Sequence, residues 1–368
     1  MSLSSHKRQC AVKFSAACWL RLLFALCILA VPLASGSSAQ AAQTISPQEK
    51  ALALLETLTP AERVGQLFMV TFQGSDASPE SEIAQLIQNY YVGGVVLLAA
   101  NDNFNLESEI PKQVLDLSRQ MQLNRWSAAQ NPQADIITGE PINPAFIPLF
   151  VGMAQEGDGY PFDQVLSGLT QLPSAMALGA TWQPQIARDM GAILGTELSA
   201  LGVNMLLGPS LDVLETPHTS GASDLGVRTF GGDPFWVGKM GQAYIAGVHE
   251  GSQGRIAVAA KHFPGHGGSD RLPEEEVATV RRSLEQLTNF ELEPFFAVTG
   301  GAPSPTATVE ALIVSHIRYQ GFQGNIRVTT RPVSFDPQAF NLLLEQGPIK
   351  TWRESGGVMI SDNLGSQA

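Results

Sequence analysis

The chain has 368 residues, a formal net charge of −12 and three cysteines. The acidic balance argues against nucleic acid and anionic membrane surfaces as partners. Cys10, Cys18 and Cys27 all lie near the N-terminus, so thiolate catalysis, disulfides and cysteine metal sites are excluded for the remainder.

Residues 1–41 read as a secretory signal peptide. Lys7, Arg8, Lys13 and Arg21 form a positive region, Leu22–Leu33 is a short apolar run, and Ala39-Gln40-Ala41 is a small-x-small cleavage site. Export to the periplasm, cell surface or medium is expected; the apolar run is short for a membrane span, and an uncleaved anchor is the alternative. The leader holds four basic residues and no acidic one, which leaves 34 acidic against 18 basic residues and a charge near −16. A chain of that size buries about three quarters of its unfolded surface, so its core can hold it without disulfides.

Residues 42–58 read as a linker and entry helix. Thr59-Pro60-Ala61-Glu62 is a helix start, with Thr59 as N-cap and Pro60 at the first helical position. Strands are predicted at 66–71, 94–98, 148–153, 205–207, 256–260, 311–315 and 358–361. Most are continuous apolar runs, as in strands buried on both faces of a parallel sheet. Helical patterns lie between them, such as Gln183–Leu201, Pro234–Gly251 and Ser283–Phe296. Residues 125–147 read as an inserted loop, and 216–226 as a long Gly/Ser/Thr-rich loop after the fourth strand. The alternation predicts an α/β fold, a TIM-like (β/α)8 barrel over residues 59–368 with seven β/α repeats and no eighth strand. The expectation is therefore a barrel lacking its last β/α unit in this chain, with a further C-terminal region in the whole protein. An open barrel, or one completed in trans, is the alternative.

Polar groups gather where the predicted strands end, which in such barrels is where chemistry sits. Asp362 follows the strand 358–361. It can attack an anomeric carbon as a nucleophile, or it can cap a following helix; the segment alone does not separate the two. Lys261 and His262 end the fifth strand, and both offer donors to sugar hydroxyls. The Pro264-Gly265 turn brings His266 back toward the same place. A metal on His262 and His266 is not expected, because a spacing of four ligates on a helix face and Pro264-Gly265 breaks any helix; no cofactor is expected either. Asp212 lies just past the fourth strand, where pairing with a neighbouring Lys or Arg is the plain reading and a site role the second. Arg228 is placed to clamp a substrate hydroxyl or the site carboxylates. Ser315-His316 ends the sixth strand, and His316 reads as site more than core.

Four segments, Gly65-Gln66-Leu67-Phe68-Met69-Val70, Leu172 to Thr181 (LPSAMALGAT), Lys261-His262-Phe263-Pro264-Gly265-His266-Gly267 and Ser361-Asp362, occur in this order. Together they resemble the N-terminal barrel domain of glycoside hydrolase family 3, most of all the bacterial β-N-acetylhexosaminidases. The resemblance runs over about residues 50–368. It implies a retaining O-glycosidase, a nucleophile at Asp362, sugar contacts from Arg228, Lys261 and His262, and a carbohydrate substrate. β-Glucosidase activity, or a degenerate barrel that only binds glycans, are the alternatives.

The chain departs from the family pattern twice. The loop after the third strand usually reads Asp-Gln-Glu-Gly-Gly; here its Asp is Ala154, while Gln155, Glu156 and Gly157 remain, followed by Asp158 and Gly159. Glu156 is retained as a substrate-binding candidate. The hexosaminidase Asp-Ser-His loop, whose His donates the proton, is replaced by Gly268 to Pro273. Asp270 can match its Asp but no His follows. Asp270 is therefore the first candidate for the acid, with Glu274, Glu275 and Glu276 or a residue beyond the chain as alternatives.

Overall fold

A computed structural model describes residues 46–159, 162–214, 226–271 and 276–365. The predicted leader, residues 42–45 of the linker, all of the 216–226 loop except Gly226, and Glu274 and Glu275 lie outside them. The chain divides into two compact units, Met1–Leu54 and Leu55–Ala368. The described residues of the first are Ser46 and the Pro47–Leu54 part of the helix Pro47–Thr57, which buries no side chain.

The strands are β1 (Met69–Val70), β2 (Gly94–Val96), β3 (Gln133–Ala134), β4 (Pro141–Ile142), β5 (Phe150–Met153), β6 (Met205–Ser210), β7 (Ala257–Phe263), β8 (Thr279–Val280), β9 (Ala311–Val314), β10 (Arg318–Tyr319) and β11 (Val358–Ser361). Seven of them form one sheet in the order β1-β2-β5-β6-β7-β9-β11, and every pair in it is parallel. Each predicted strand finds its counterpart there. With helices between the strands, this is the curled half-barrel of an α/β barrel.

Residues alternate between the two faces of this sheet, as strand geometry requires. Val258, Ala260, Leu312 and Val314 join the large core, together with buried residues of the helices. Ala259, Ala311 and Ile313 form a separate small cluster with Leu207 and Ile360. Two alanines and three branched aliphatic residues make up that second, smaller cluster. On the large-core side, helices Pro184–Ala200 and Pro234–Ser252 lie unusually close. A Cβ at Gly191 would stand 2.2 Å from the Tyr244 carbonyl oxygen, and one at Gly251 1.9 Å from that of Ala192. Any side chain there would force the two helices apart.

The first helix of the barrel unit, Pro60–Gly65, starts as predicted. Thr59 accepts from the Glu62 N–H, and Glu62 accepts from the Thr59 N–H at 2.9 Å. The other oxygen of Glu62 accepts from the Ala145 N–H at 2.7 Å, tying the inserted segment to the helix.

Three predicted elements differ. Residues 125–130 are not loop but the last turns of helix Ile110–Gln130. Arg125 is buried there and donates to the carbonyls of Ile147, Ala145 and Ile87, so a charged residue that reads as surface loop instead anchors the insertion. β3 and β4 then pair antiparallel. The single helix expected at 283–296 is broken into Leu284–Gln286, a π-turn Leu287–Glu291 and Glu293–Val298. The extra residue of a π-turn rotates Glu291 inward, into full burial. β7 runs on to Phe263 through a register shift against both neighbours. Lys261 and His262 are thus inside the strand rather than beyond it.

Candidate active site

The C-terminal ends of β5, β6 and β7 carry one continuous polar network. From the β5 loop, Glu156 is buried. Its Oε1 accepts from the Ser210 N–H at 2.9 Å, and its Oε2 pairs with Lys261 Nζ at 2.6 Å. Lys261 also donates to the Leu207 carbonyl at 3.0 Å. Three strands are therefore cross-linked through one carboxylate and one ammonium. The Gly208–Pro209, Lys261–His262 and Phe263–Pro264 peptide bonds are cis.

Asp212 is the centre of the second half. It is fully buried. Oδ2 accepts from Ser210 Oγ at 2.8 Å and meets His262 Nδ1 at 2.7 Å; Oδ1 accepts from the His266 N–H at 2.8 Å. The His262 and His266 rings stack at 4.2 Å. Burial alone would raise the Asp212 pKa. The charges of His266 and His262, with the hydrogen bonds from both, hold it well below the usual carboxylate range. An ionised Asp212 keeps the proton of His262 on Nδ1 and fixes the ring. The plain reading of Asp212 as the partner of a Lys or Arg is corrected: its partners are Ser210 at the end of β6, His262 on β7 and His266, the last brought in by the Pro264-Gly265 turn.

Pro264-Gly265 forms a turn and not a helix, as expected, and the turn itself brings the two histidines together. Ligand-capable atoms of Asp212, His262 and His266 lie within 4.8 Å of one another. The Asp212 oxygens in that set are already engaged in the hydrogen bonds above.

Glu291 stands behind the loop, with its Oε1 3.1 Å from Arg282 Nε. Burial pushes it up to about 8 against the pull of Arg282, with the Asp212 charge adding to the rise. Sequence reading missed it, since a glutamate in a helical pattern gives no sign of facing inward. Asp163 was missed as well. It accepts from the N–H groups of Glu156, Gly157 and Gly159 and so shapes the loop that carries Glu156.

The other candidates lie apart from this network. Arg228 is buried, with its guanidinium carbon 3.9 Å from the Phe162 ring centre. Its charge and that of Lys261 are both felt by Asp158, which joins Arg228 to the Glu156 side of the site. His316 sits past the end of β9, where Nδ1 meets Ser334 Oγ at 2.8 Å and the ring stacks on Phe335 at 4.8 Å. It makes no hydrogen bond to Asp212, Lys261 or His262 among the described residues. Asp270 accepts from the Thr279 N–H at 2.9 Å, and its Oδ1 is 3.4 Å from Arg271 Nε. It thereby pins the loop against β8. Asp362 ends β11; its N–H donates to the Val314 carbonyl at 3.0 Å, and its Oδ1 accepts from the Asn363 N–H at 2.8 Å.

A cavity of about 210 Å³ is lined by Gly157, Gly159, Asp163, Leu166, Leu172 and Glu197 among others. It touches none of Asp212, Lys261, His262 and Asp362, so the polar geometry and not the cavity marks the site.

The family model described as "Glycosyl hydrolase family 3 N terminal domain" matches residues 59–367. The chain belongs to glycosyl hydrolase family 3. The network on β5, β6 and β7 is thus part of a family 3 barrel mouth. Beta-hexosaminidase A of Pseudoalteromonas piscicida is 25% identical over 310 residues, covering 78% of this chain and 46% of that protein. The beta-hexosaminidase of Thiobacillus denitrificans is 30% identical over 223 residues, covering 59% of this chain and 55% of its own length. The structure of a family 3 beta-N-acetylglucosaminidase from Paenibacillus sp. str. FPU-7 superposes with a TM-score of 0.66 and 28% identity, over 83% of this chain and 49% of that one. The family 3 chain spans about half the length of these relatives.

Proposed function

We propose that the protein is a retaining β-glycosidase, a β-N-acetylhexosaminidase acting on N-acetylglucosamine-containing glycans. The observation that carries the reading is the Glu156–Lys261 pair beside the Asp212–His262–His266 cluster, at the C-terminal ends of strands in a family 3 barrel. A fixed cation, oriented imidazoles and buried carboxylates are what polyhydroxyl recognition needs: donors and acceptors held in place before the sugar arrives. The names of the hexosaminidase relatives support the sugar class.

In this reading Asp362 is the nucleophile and forms the glycosyl–enzyme intermediate, which water then hydrolyses. Its position at a strand end supports the role. Lys261, His262, Arg228 and Glu156 bind sugar hydroxyls; His266 and Asp212 orient His262, and His316 lines the mouth. Asp270 is the proposed acid: it gives its proton to the leaving oxygen and recovers one from the attacking water. Export is proposed from the leader composition, and among the described residues no helix is long and apolar enough to cross a membrane.

The test is incubation of the full-length protein with nitrophenyl β-N-acetylglucosaminide and nitrophenyl β-glucoside. Release from the first supports the reading. Preference for the second shifts it to β-glucosidase, and binding of glycans without release from either leaves a glycan-binding barrel.

A further inference from the structure

We infer that Asp158 is a sugar-reading residue, and that its carboxyl takes a hydroxyl contact of the bound sugar. This rests on the reading of the barrel mouth as a sugar site. Both carboxyl oxygens of Asp158 are shut off from solvent, and neither has a hydrogen-bond partner among the described residues. A buried carboxyl left in that condition is costly, and buried polar groups are almost always satisfied. Such an exception calls for a ligand that completes it.

The loop around it is not loose. Asp163 gathers three backbone N–H groups from Glu156, Gly157 and Gly159. The Gln155 amide ties the loop to Gln164 and Val165 through three further hydrogen bonds. Gly157 and Gly159, with φ of +85° and +75°, flank Asp158 and supply the left-handed turns that carry it. The side chain is therefore held in place by its neighbours, while making no bond of its own.

Its electrostatic neighbours are those of the site. The charges that act on it are those of Glu156, Asp163, Lys261 and Arg228, and Glu156, Lys261 and Arg228 are among the groups proposed to bind sugar hydroxyls. Burial, then the charges of Glu156 and Asp163, push it up to about 7. Near neutrality it can thus accept from one hydroxyl and, when protonated, donate to another. Ala154, four residues earlier in the same loop, carries no polar side chain.

The experiment is titration calorimetry of the full-length protein with N-acetylglucosamine and its 3-, 4- and 6-deoxy forms. Wild type, Asp158→Asn and Asp158→Ala are compared, with thermal melts to establish that each folds. Asp158→Ala is expected to weaken binding of the complete sugar about 10-fold, the scale of a hydrogen bond to a charged group. One deoxy sugar should bind wild type about as weakly, and that sugar should lose nothing further in the variant. Asp158→Asn should fall between. Equal losses for every sugar, no loss at all, or no sugar binding by wild type would each overturn the inference. If the binding cycle holds while no nitrophenyl glycoside is cleaved, the hydrolase reading fails and the role of Asp158 stands.

Discussion

On the β6–β7 side of the barrel mouth, Asp212 is fully buried and accepts from Ser210, His262 and His266. At the end of β11, Asp362 is half-buried, and among the described residues its carboxylate is met only by the N–H of its own neighbour, Asn363. The contrast separates two kinds of carboxylate. One is spent on structure: its lone pairs are filled and its charge is stabilised by histidines. The other keeps its lone pairs open, which a nucleophile requires. A buried network of this type is rigid when complete and costly when one member is removed, whereas a half-buried carboxylate that holds no other element can be changed with little effect on folding.

The largest expected effect follows from that contrast. Asp362→Asn should lower hydrolysis of nitrophenyl β-N-acetylglucosaminide by ~10³-fold or more, with an unchanged melting temperature. Activity above a few per cent of wild type would remove Asp362 from the nucleophile role, and a large loss of stability would break the comparison itself.

Asp270 comes next. As the acid, its loss should cost about 10²- to 10⁴-fold on substrates with poor leaving groups. Much less should be lost on nitrophenyl substrates, and azide should restore their turnover. Its hydrogen bond to Thr279 gives the rival outcome, a modest loss that is equal on all substrates and insensitive to azide, which would assign Asp270 to holding the loop.

Asp212→Ala tests the other side. It leaves Ser210, His262 and the His266 N–H without their shared acceptor, and breaking a buried pair by removing one partner costs about 3–5 kcal/mol. Denaturant unfolding should show a loss of that size. A loss under about 1 kcal/mol would mean that the network is dispensable.

The strands were legible because most are continuous apolar runs, and the central strands β6, β7 and β9 are indeed largely buried on both faces. The Lys261-His262 and Glu156 positions were legible through motif order. Asp212 was read with the wrong partners, because its histidine partners lie on β7 and just past it, some 50 residues downstream, and local spacing carries no such information. Arg125 was read as loop for a related reason: in sequence it looks exposed, and only the carbonyls of the insertion folding back on it explain its burial. Glu291 was invisible because a π-turn, which no periodicity announces, rotates it inward.

Glu291 and Asp212 predict opposite pH dependences, and the smallest expected effect is the cleanest test of the difference. The folded-state pKa of Glu291 is raised from 4.5 to about 8. Between those values the folded protein holds a proton that the unfolded chain has released. Its contribution is therefore fully present below about 4.5 and is lost as pH rises toward 8. The Asp212 pKa is lowered from 3.8, so its contribution is present above 3.8 and is lost as pH falls below it. Melting temperature should accordingly peak at mildly acid pH. Glu291→Gln keeps the neutral shape and removes the titration. It should flatten the decline between pH 5 and pH 8 while leaving the acid limb, which belongs in part to Asp212, unchanged. A variant whose melting temperature still falls with the wild-type slope over that range would show that Glu291 is ionised in the folded protein, paired with Arg282 as a salt bridge.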